Sequence, residues 1–121
     1  MAIEIINTGS ELMIGRVLNT HHQWLCAQLD ELGYTVHRQV SVSDESSAIV
    51  DAVQESLGRS NAVILTGGLG PTSDDLTRGL IAKLFHRRTL VHEPTLERIR
   101  NYFQSRGREI PFKCEIQAQY P

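Results

Sequence analysis

Short apolar runs alternate with longer amphipathic segments along this chain. Residues 2–8 (AIEIINT), 34–41 (YTVHRQVS) and 61–66 (NAVILT) are short and rich in β-branched side chains, so we predict three strands. The third run is apolar throughout its middle, which is typical of a strand covered on both faces. The polar stretches that follow each run indicate where the strands end.

The segments between and after these strands carry apolar residues three or four positions apart, which predicts helices. Gly33 and Gly58 stand where the first two helices should stop, and Pro94 is suited to the first turn of the last one. The four predicted apolar stripes are Leu18, His22, Leu25, Leu29 and Leu32; Ile49, Val50, Val53 and Leu57; Leu76, Leu80, Ile81 and Leu84; and Leu96, Ile99 and Phe103.

Strands that alternate with helices predict an α/β fold, in which a mostly parallel sheet lies between two helix layers. Parallel strands all end at one edge of the sheet, and ligands bind outside that edge. The three predicted strand ends are followed by Gly9, Asp44 and Gly67. We therefore expect this edge to gather four carboxylates, those of Glu11, Asp44, Asp74 and Asp75.

The sequence GGLGPTSDDLT, residues 67–77, follows the third strand directly. It fits neither the dinucleotide-binding fingerprint nor the Walker A loop, because it lacks the third glycine of the first and the Gly-Lys pair of the second. Glycines before a helix still allow backbone N–H groups to approach an anion. We expect Thr72 or Ser73 to cap the helix, with Asp75 as the partner in a capping-box-like pair.

One aspartate in the first turn of a helix is ordinarily a cap, because it interacts favourably with the helix dipole. Four carboxylates at one edge are harder to explain in that way, since like charges destabilise one another. A divalent cation removes this repulsion, and Mg²⁺ is typically held by one or two carboxylates together with phosphate oxygens. The residues therefore predict a site for a cation and a phosphate-containing ligand.

Composition limits the class of protein. The 121 residues suit a single domain, and Cys26 and Cys114 lack the spacing of a redox motif or a zinc site. No signal peptide or membrane-spanning run is evident, so we expect a cytoplasmic protein without a membrane partner. The net charge of −2 argues against nucleic-acid binding. Basic residues concentrate after residue 75, where Arg78, Arg87 and Arg88 either form a solvated surface or meet an anion or a second subunit.

Three segments together resemble one family: TGSELMIG at residues 8–15, Asp44 after the second strand, and the 67–77 loop. They look like the N-terminal domain of the competence/damage-inducible CinA proteins, within the wider molybdopterin-binding family. The resemblance covers essentially the whole chain, residues 1–121. It implies a three-layer α/β/α domain that is usually oligomeric and binds a pterin or nucleotide phosphate at the sheet edge.

The resemblance implies two kinds of activity. CinA-type domains are associated with metal-dependent hydrolysis of ADP-ribose and related diphosphates, whereas the molybdopterin branch uses carboxylates matching Asp44 and Asp75 for adenylyl transfer to the pterin. We expect Asp44 and Asp75 to hold Mg²⁺, Mn²⁺ or Co²⁺, with Asp74 and Glu11 orienting water or a second cation. The residues expected to contact the ligand are Thr8, Gly9, Gly67, Gly68, Gly70, Thr72 and Thr77.

The chain departs from the family pattern at two places. His21 stands where a customary D-T-N segment has its asparagine, and Cys114 and Ile116 replace an asparagine and a lysine near the C-terminus. The sequence also ends before a final segment that family members usually carry, which predicts an incomplete, self-associating domain with Phe103, Phe112 and Tyr120 as candidate contacts. These departures leave a non-catalytic binding or oligomerisation module as a further hypothesis.

Overall fold

The structure is a computed structural model that describes residues 1–121 and divides into two compact units, Met1–Gly67 and Gly68–Pro121. The first unit runs in the order β1 (Ile3–Thr8), α1 (Ser10–Met13), α2 (Thr20–Glu31), β2 (Val36–Val42), α3 (Ser46–Leu57) and β3 (Ala62–Thr66). The second contains α4 (Thr77–Leu84), β4 (Leu90–Val91), α5 (Glu93–Gln104), α6 (Phe112–Glu115), a 3₁₀ turn (Ile116–Ala118) and β5 (Gln119–Tyr120). None of the helices is long and apolar enough to span a bilayer.

A parallel three-stranded sheet forms the centre of the first unit. Its strand order is β2-β1-β3, and β1 pairs in parallel with both neighbours. Each parallel connection requires a crossover, and the amphipathic helices α2 and α3 provide the two crossovers. The predicted α/β fold with a parallel sheet is therefore confirmed, and the three strands lie within two residues of their predicted bounds.

The core of this unit is built around β1, every residue of which is buried. Ile5 and Ile6 have no exposed surface, and α3 covers the sheet with Ile49 and Val53, which are also buried. The prediction for β3 was wrong in one respect, because all five of its residues are only half-buried. The reason is its position at an edge of the sheet, so that only one of its sides has a neighbouring strand.

A buried ionic cluster lies near the start of β1 and was not anticipated from the sequence. Glu4 is only 4% exposed, and its carboxylate accepts hydrogen bonds from Ser56 (2.8 Å), Ser60 (2.7 Å) and the Arg59 guanidinium (2.7 and 2.9 Å). The Arg59 hydrogen bond is the largest cause that lowers the pKa of Glu4 from 4.5 to about 2. The four donors compensate the desolvation of a charge in the core.

Other elements differ from the sequence prediction. Residues 10–13 form an additional short helix, α1, and the second unit contains an antiparallel pair, β4 with β5. The predicted apolar stripe of α2, from Leu18 to Leu32, is longer than the helix itself, which covers only Thr20–Glu31. Leu18 and Leu32 lie outside it and are 87% and 71% exposed. Strands of two residues leave almost no periodic signal, which is why the β4–β5 pair was missed.

Candidate functional site

The carboxyl ends of the three parallel strands are tied together by hydrogen bonds. The Thr8 hydroxyl at the end of β1 donates to the carbonyl oxygen of Thr66 at the end of β3, 3.2 Å away, and the Gly9 amide donates to the carbonyl oxygen of Val42 at 3.1 Å. Gly67 then turns with φ +94°, and a Cβ at this position would overlap the Thr8 carbonyl oxygen. Only glycine permits this close approach of two strand ends.

A cavity of about 460 Å³ opens at this edge of the sheet within the first unit. We call it the strand-end cavity. Its walls come from the ends of β1 and β3, from α1, and from the N-terminal half of α2 with the residue before it. The lining residues are Thr8, Glu11, Leu12, Asn19, His21, Trp24, Leu25, Thr66 and Gly67. Its volume lies within the range of about 300 to 1,000 Å³ that is usual for small-molecule sites.

The structure brings several predicted site residues to this cavity. Thr8, Gly67 and Glu11 line it, and so does His21, the departure from the family pattern. Gly9 lies directly beneath the Glu11 carboxylate, because a Cβ on Gly9 would come within 2.6 Å of Glu11 Oε1. Glu11 is therefore the acidic side chain that the cavity contains.

Asp44 has a defined role in the local structure. Its Oδ2 atom accepts a 2.9 Å hydrogen bond from the Ser10 amide, and the Ser10 hydroxyl accepts a 3.5 Å bond from the Asp44 amide. This reciprocal pair connects the residue after β2 to the first turn of α1. Only one carboxylate oxygen is used, so Oδ1 is available to another partner.

The predicted cap of α4 was wrong. The helix begins at Thr77, and Leu76 occupies the capping position without any side-chain hydrogen bond. Thr72 and Asp75 do interact, but in a turn ahead of the helix: Asp75 Oδ2 accepts from the Thr72 amide (2.9 Å) and hydroxyl (2.5 Å), and the Asp75 amide donates to the Thr72 carbonyl (3.2 Å). The sequence pattern identified the pair but placed the helix start too early.

The Asp75 carboxylate is stabilised in its ionised form. The hydrogen bonds from the Thr72 hydroxyl and amide are the largest causes that lower its pKa, and the positive charge of Arg78 adds to them. Gly70 allows this arrangement, since a Cβ there would lie 2.5 Å from Asp75 Oδ2. Both bonds from Thr72 use Oδ2. Asp74, by contrast, is exposed to solvent.

Arg78 fixes the glycine loop, a role that the sequence did not reveal. Its guanidinium donates to the carbonyl oxygens of Leu69 and Gly70, and the Thr77 amide donates to the Gly68 carbonyl at 3.2 Å. The first turn of α4 therefore binds three consecutive carbonyl groups of the loop. Gly68 has φ +63° and lies against the buried Thr77 side chain, whose hydroxyl has no hydrogen-bond partner.

Neither unit contains a cluster of three or more His, Cys, Asp or Glu side chains arranged to hold a metal ion. Asp44 retains one carboxylate oxygen, Oδ1, that accepts no hydrogen bond, and Asp75 accepts its two bonds from Thr72 on Oδ2 alone. Ionised carboxylate oxygens are the ligands that Mg²⁺ and Mn²⁺ prefer. The donor chemistry therefore fits a divalent cation bound partly by ligand oxygens and water, at one or two carboxylates.

Comparison with known proteins gives consistent matches. Residues 4–115 match the family described as probable molybdopterin binding domain. The chain is 42% identical over all 121 residues to a putative competence-damage inducible protein of Clostridium tetani and 47% identical over 106 residues to a CinA-like protein of Kosmotoga olearia. It covers 30% and 26% of those two proteins, so it spans less than a third of their length.

Solved structures agree with this assignment. A crystal structure of the protein CinA, of unknown function, from Thermoplasma acidophilum superimposes with a TM-score of 0.81 at 30% identity, covering 99% of this chain and 70% of that one. The molybdopterin biosynthesis enzyme MoaB of Thermus thermophilus shares the fold, with a TM-score of 0.66 at 20% identity over 83% of this chain and 62% of its own. The chain therefore belongs to the molybdopterin-binding domain family and is a CinA-like member of it.

Proposed function

We propose that this domain binds a nucleotide diphosphate such as ADP-ribose at the strand-end cavity and hydrolyses it with a divalent cation. The observation that carries the proposal is the cavity itself, which combines the Thr8 hydroxyl and the Glu11 carboxylate with the aromatic side chain of Trp24. A ligand that joins a planar base to charged phosphates requires this mixture of aromatic and polar groups.

The reaction would be attack of water on one phosphorus atom of the diphosphate. A new P–O bond forms, the P–O–P bridge breaks, and ADP-ribose yields AMP and ribose 5-phosphate. Glu11 is suited to accept the proton of the attacking water, because it is the acidic side chain of the cavity. Thr8 would orient a phosphate oxygen. A bound divalent cation supplies Lewis-acid polarisation of the phosphoryl group.

Asp44 in the first unit and Asp75 in the second are each proposed as a ligand of a divalent cation, and Asp74 is proposed to orient bound water. Support comes from Asp44, whose Oδ2 atom accepts the Ser10 amide while Oδ1 accepts no hydrogen bond. An ionised carboxylate oxygen of this kind is a ligand that Mg²⁺ and Mn²⁺ prefer.

A second candidate function is binding or adenylylation of molybdopterin. It is favoured by the family match over residues 4–115. A third is a nucleotide- or pterin-binding module without catalysis, which the histidine at position 21 favours. All three functions place a phosphorylated heterocycle in the same cavity, so the choice depends on turnover and on ligand preference.

The test is a measurement of AMP release from ADP-ribose by the purified chain with Mg²⁺, Mn²⁺ or Co²⁺, and in EDTA. We expect release with at least one cation and none in EDTA, and we expect Glu11→Gln to lower the rate about a hundredfold or more, as for loss of a general base. Calorimetry of ADP-ribose should show much weaker binding in EDTA. Equal affinity with and without EDTA would contradict the role of the metal, and absence of turnover with tight binding would favour the non-catalytic module.

A further inference from the structure

One wall of the strand-end cavity comes from the N-terminal half of α2 and contributes Asn19, His21 and Trp24. Trp24 is the only tryptophan of the chain, and it is 62% exposed although it lines a cavity. An indole ring exposed to this extent presents an uncovered aromatic surface to whatever enters. Planar heterocycles stack on such surfaces with little dependence on their hydrogen-bonding edges.

Asn19 adds a polar group with a defined orientation. Its Oδ1 atom accepts a 3.0 Å hydrogen bond from the His22 amide, which makes it the cap of α2. The two ends of an asparagine amide are hard to distinguish by shape, but this bond requires the oxygen to face the helix. The opposite atom, Nδ2, is buried and has no hydrogen-bond acceptor in the protein. A buried donor without a partner is destabilising, so an acceptor supplied by a ligand would be favourable.

We propose that the planar heterocycle of the ligand stacks on Trp24 and that one of its ring nitrogens or carbonyl oxygens accepts a hydrogen bond from Asn19 Nδ2. This inference rests on the proposed function for the class of ligand, and it adds which end of the ligand occupies the α2 side of the cavity. Purines and pterins share both required properties, an aromatic bicycle and acceptor atoms at its edge. The phosphates are then left for the side that carries Thr8 and Gly67.

The single tryptophan makes this arrangement measurable, because all indole fluorescence comes from Trp24. The probes are ADP-ribose, biopterin as a free pterin, and inorganic pyrophosphate as a ligand without a ring, each with Mg²⁺. We expect quenching by at least one of the ring-containing probes and none by pyrophosphate. Stronger quenching by ADP-ribose would identify a purine site, and stronger quenching by biopterin a pterin site.

Variants separate stacking from the hydrogen bond. Trp24→Ala should weaken calorimetric binding of the preferred ring-containing probe about fivefold to a hundredfold, whereas Trp24→Phe, which keeps a ring, should weaken it less. Asn19→Ser retains a capping side chain but removes the donor, so it should weaken binding about threefold to tenfold with little change in melting temperature. Tyr34→Ala is the control, because Tyr34 is also an exposed aromatic residue of the first unit but does not line the cavity.

Three results would overturn the inference. Calorimetric binding without quenching, unchanged in Trp24→Ala and Asn19→Ser, would place the heterocycle elsewhere and leave the proposed nucleotide-binding function intact. Quenching by pyrophosphate as strong as that by the ring-containing probes would exclude stacking as its cause. Absence of binding by every probe, with and without Mg²⁺, would overturn the proposed function and this inference together.

Discussion

Replacing Glu4 with glutamine tests how much stability one buried carboxylate contributes. The wild-type carboxylate is ionised in a site where Arg59, Ser56 and Ser60 all donate to it, and its pKa falls from 4.5 to about 2. A shift of this size corresponds to about 3 kcal/mol of folding free energy at neutral pH. Glutamine keeps the shape and one acceptor but loses the charge, so Glu4→Gln should be less stable by about that amount.

The pH dependence follows from the direction of the shift. A carboxylate with a lowered pKa in the folded state stabilises the protein above its unfolded-state value of 4.5, and this contribution is lost as the pH falls from 4.5 towards 2. At pH ~3, about 2 of the 3 kcal/mol should be gone. The stability difference between wild type and Glu4→Gln should therefore shrink from about 3 kcal/mol at neutral pH to about 1 kcal/mol at pH ~3.

The assay is urea denaturation followed by circular dichroism, with free energies extrapolated for both proteins at several pH values. Glu55→Gln is a suitable control, because Glu55 also approaches Arg59, at 3.8 Å, but its side chain is 68% exposed. Its loss should change stability by less than ~1 kcal/mol. A difference between wild type and Glu4→Gln that stays constant from neutral to acid pH would refute the assigned ionisation of Glu4.

Other substitutions probe the site and the surface. Asp75→Asn should reduce metal-dependent AMP release at least tenfold. It should shift the melting temperature by only a few degrees, because the amide oxygen can still accept the hydrogen bonds from Thr72 in the turn before α4. Unchanged turnover would mean that the role of Asp75 is purely structural. Gly67→Ala should lower the free energy of unfolding, measured by thermal denaturation, by about 2 kcal/mol or more, because φ is +94° and a Cβ would overlap Thr8. Gly79→Ala in α4, where a Cβ meets nothing within 4 Å, should raise it by up to ~1 kcal/mol. Equal effects of the two substitutions would refute the argument. Phe112 is 87% exposed and is a candidate contact between copies of the chain. Phe112→Ser should therefore shift the sedimentation profile towards smaller species. A wild-type chain that sediments as a monomer would contradict this expectation.

The site could be predicted only in part from the sequence. The position of the ligand edge followed from topology, because parallel strands end on one side of a sheet. Thr8, Glu11 and Gly67 were expected at that edge and line its cavity. Trp24 was not singled out, since an aromatic residue on an amphipathic helix ordinarily belongs to the core, and its 62% exposure depends on how α2 is covered.

The sequence by itself determined the local elements and the order in which they occur. The runs at residues 2–8, 34–41 and 61–66 and the stripes between them are local signals, so strands, crossover helices and a parallel sheet could be predicted from spacing alone. The same holds for Gly33, which ends its helix region with φ +80°.

The tertiary structure decided which partners the polar groups have. In the sequence, Glu4 is an ordinary polar residue of an alternating strand. Only the fold brings Arg59, which lies more than fifty positions later, within 2.7 Å of the Glu4 carboxylate. Arg78 likewise donates hydrogen bonds to carbonyl oxygens of the glycine loop because the start of α4 lies against that loop. Hydrogen bonds between residues distant in sequence are decided by the packing of the chain, and no local pattern encodes them.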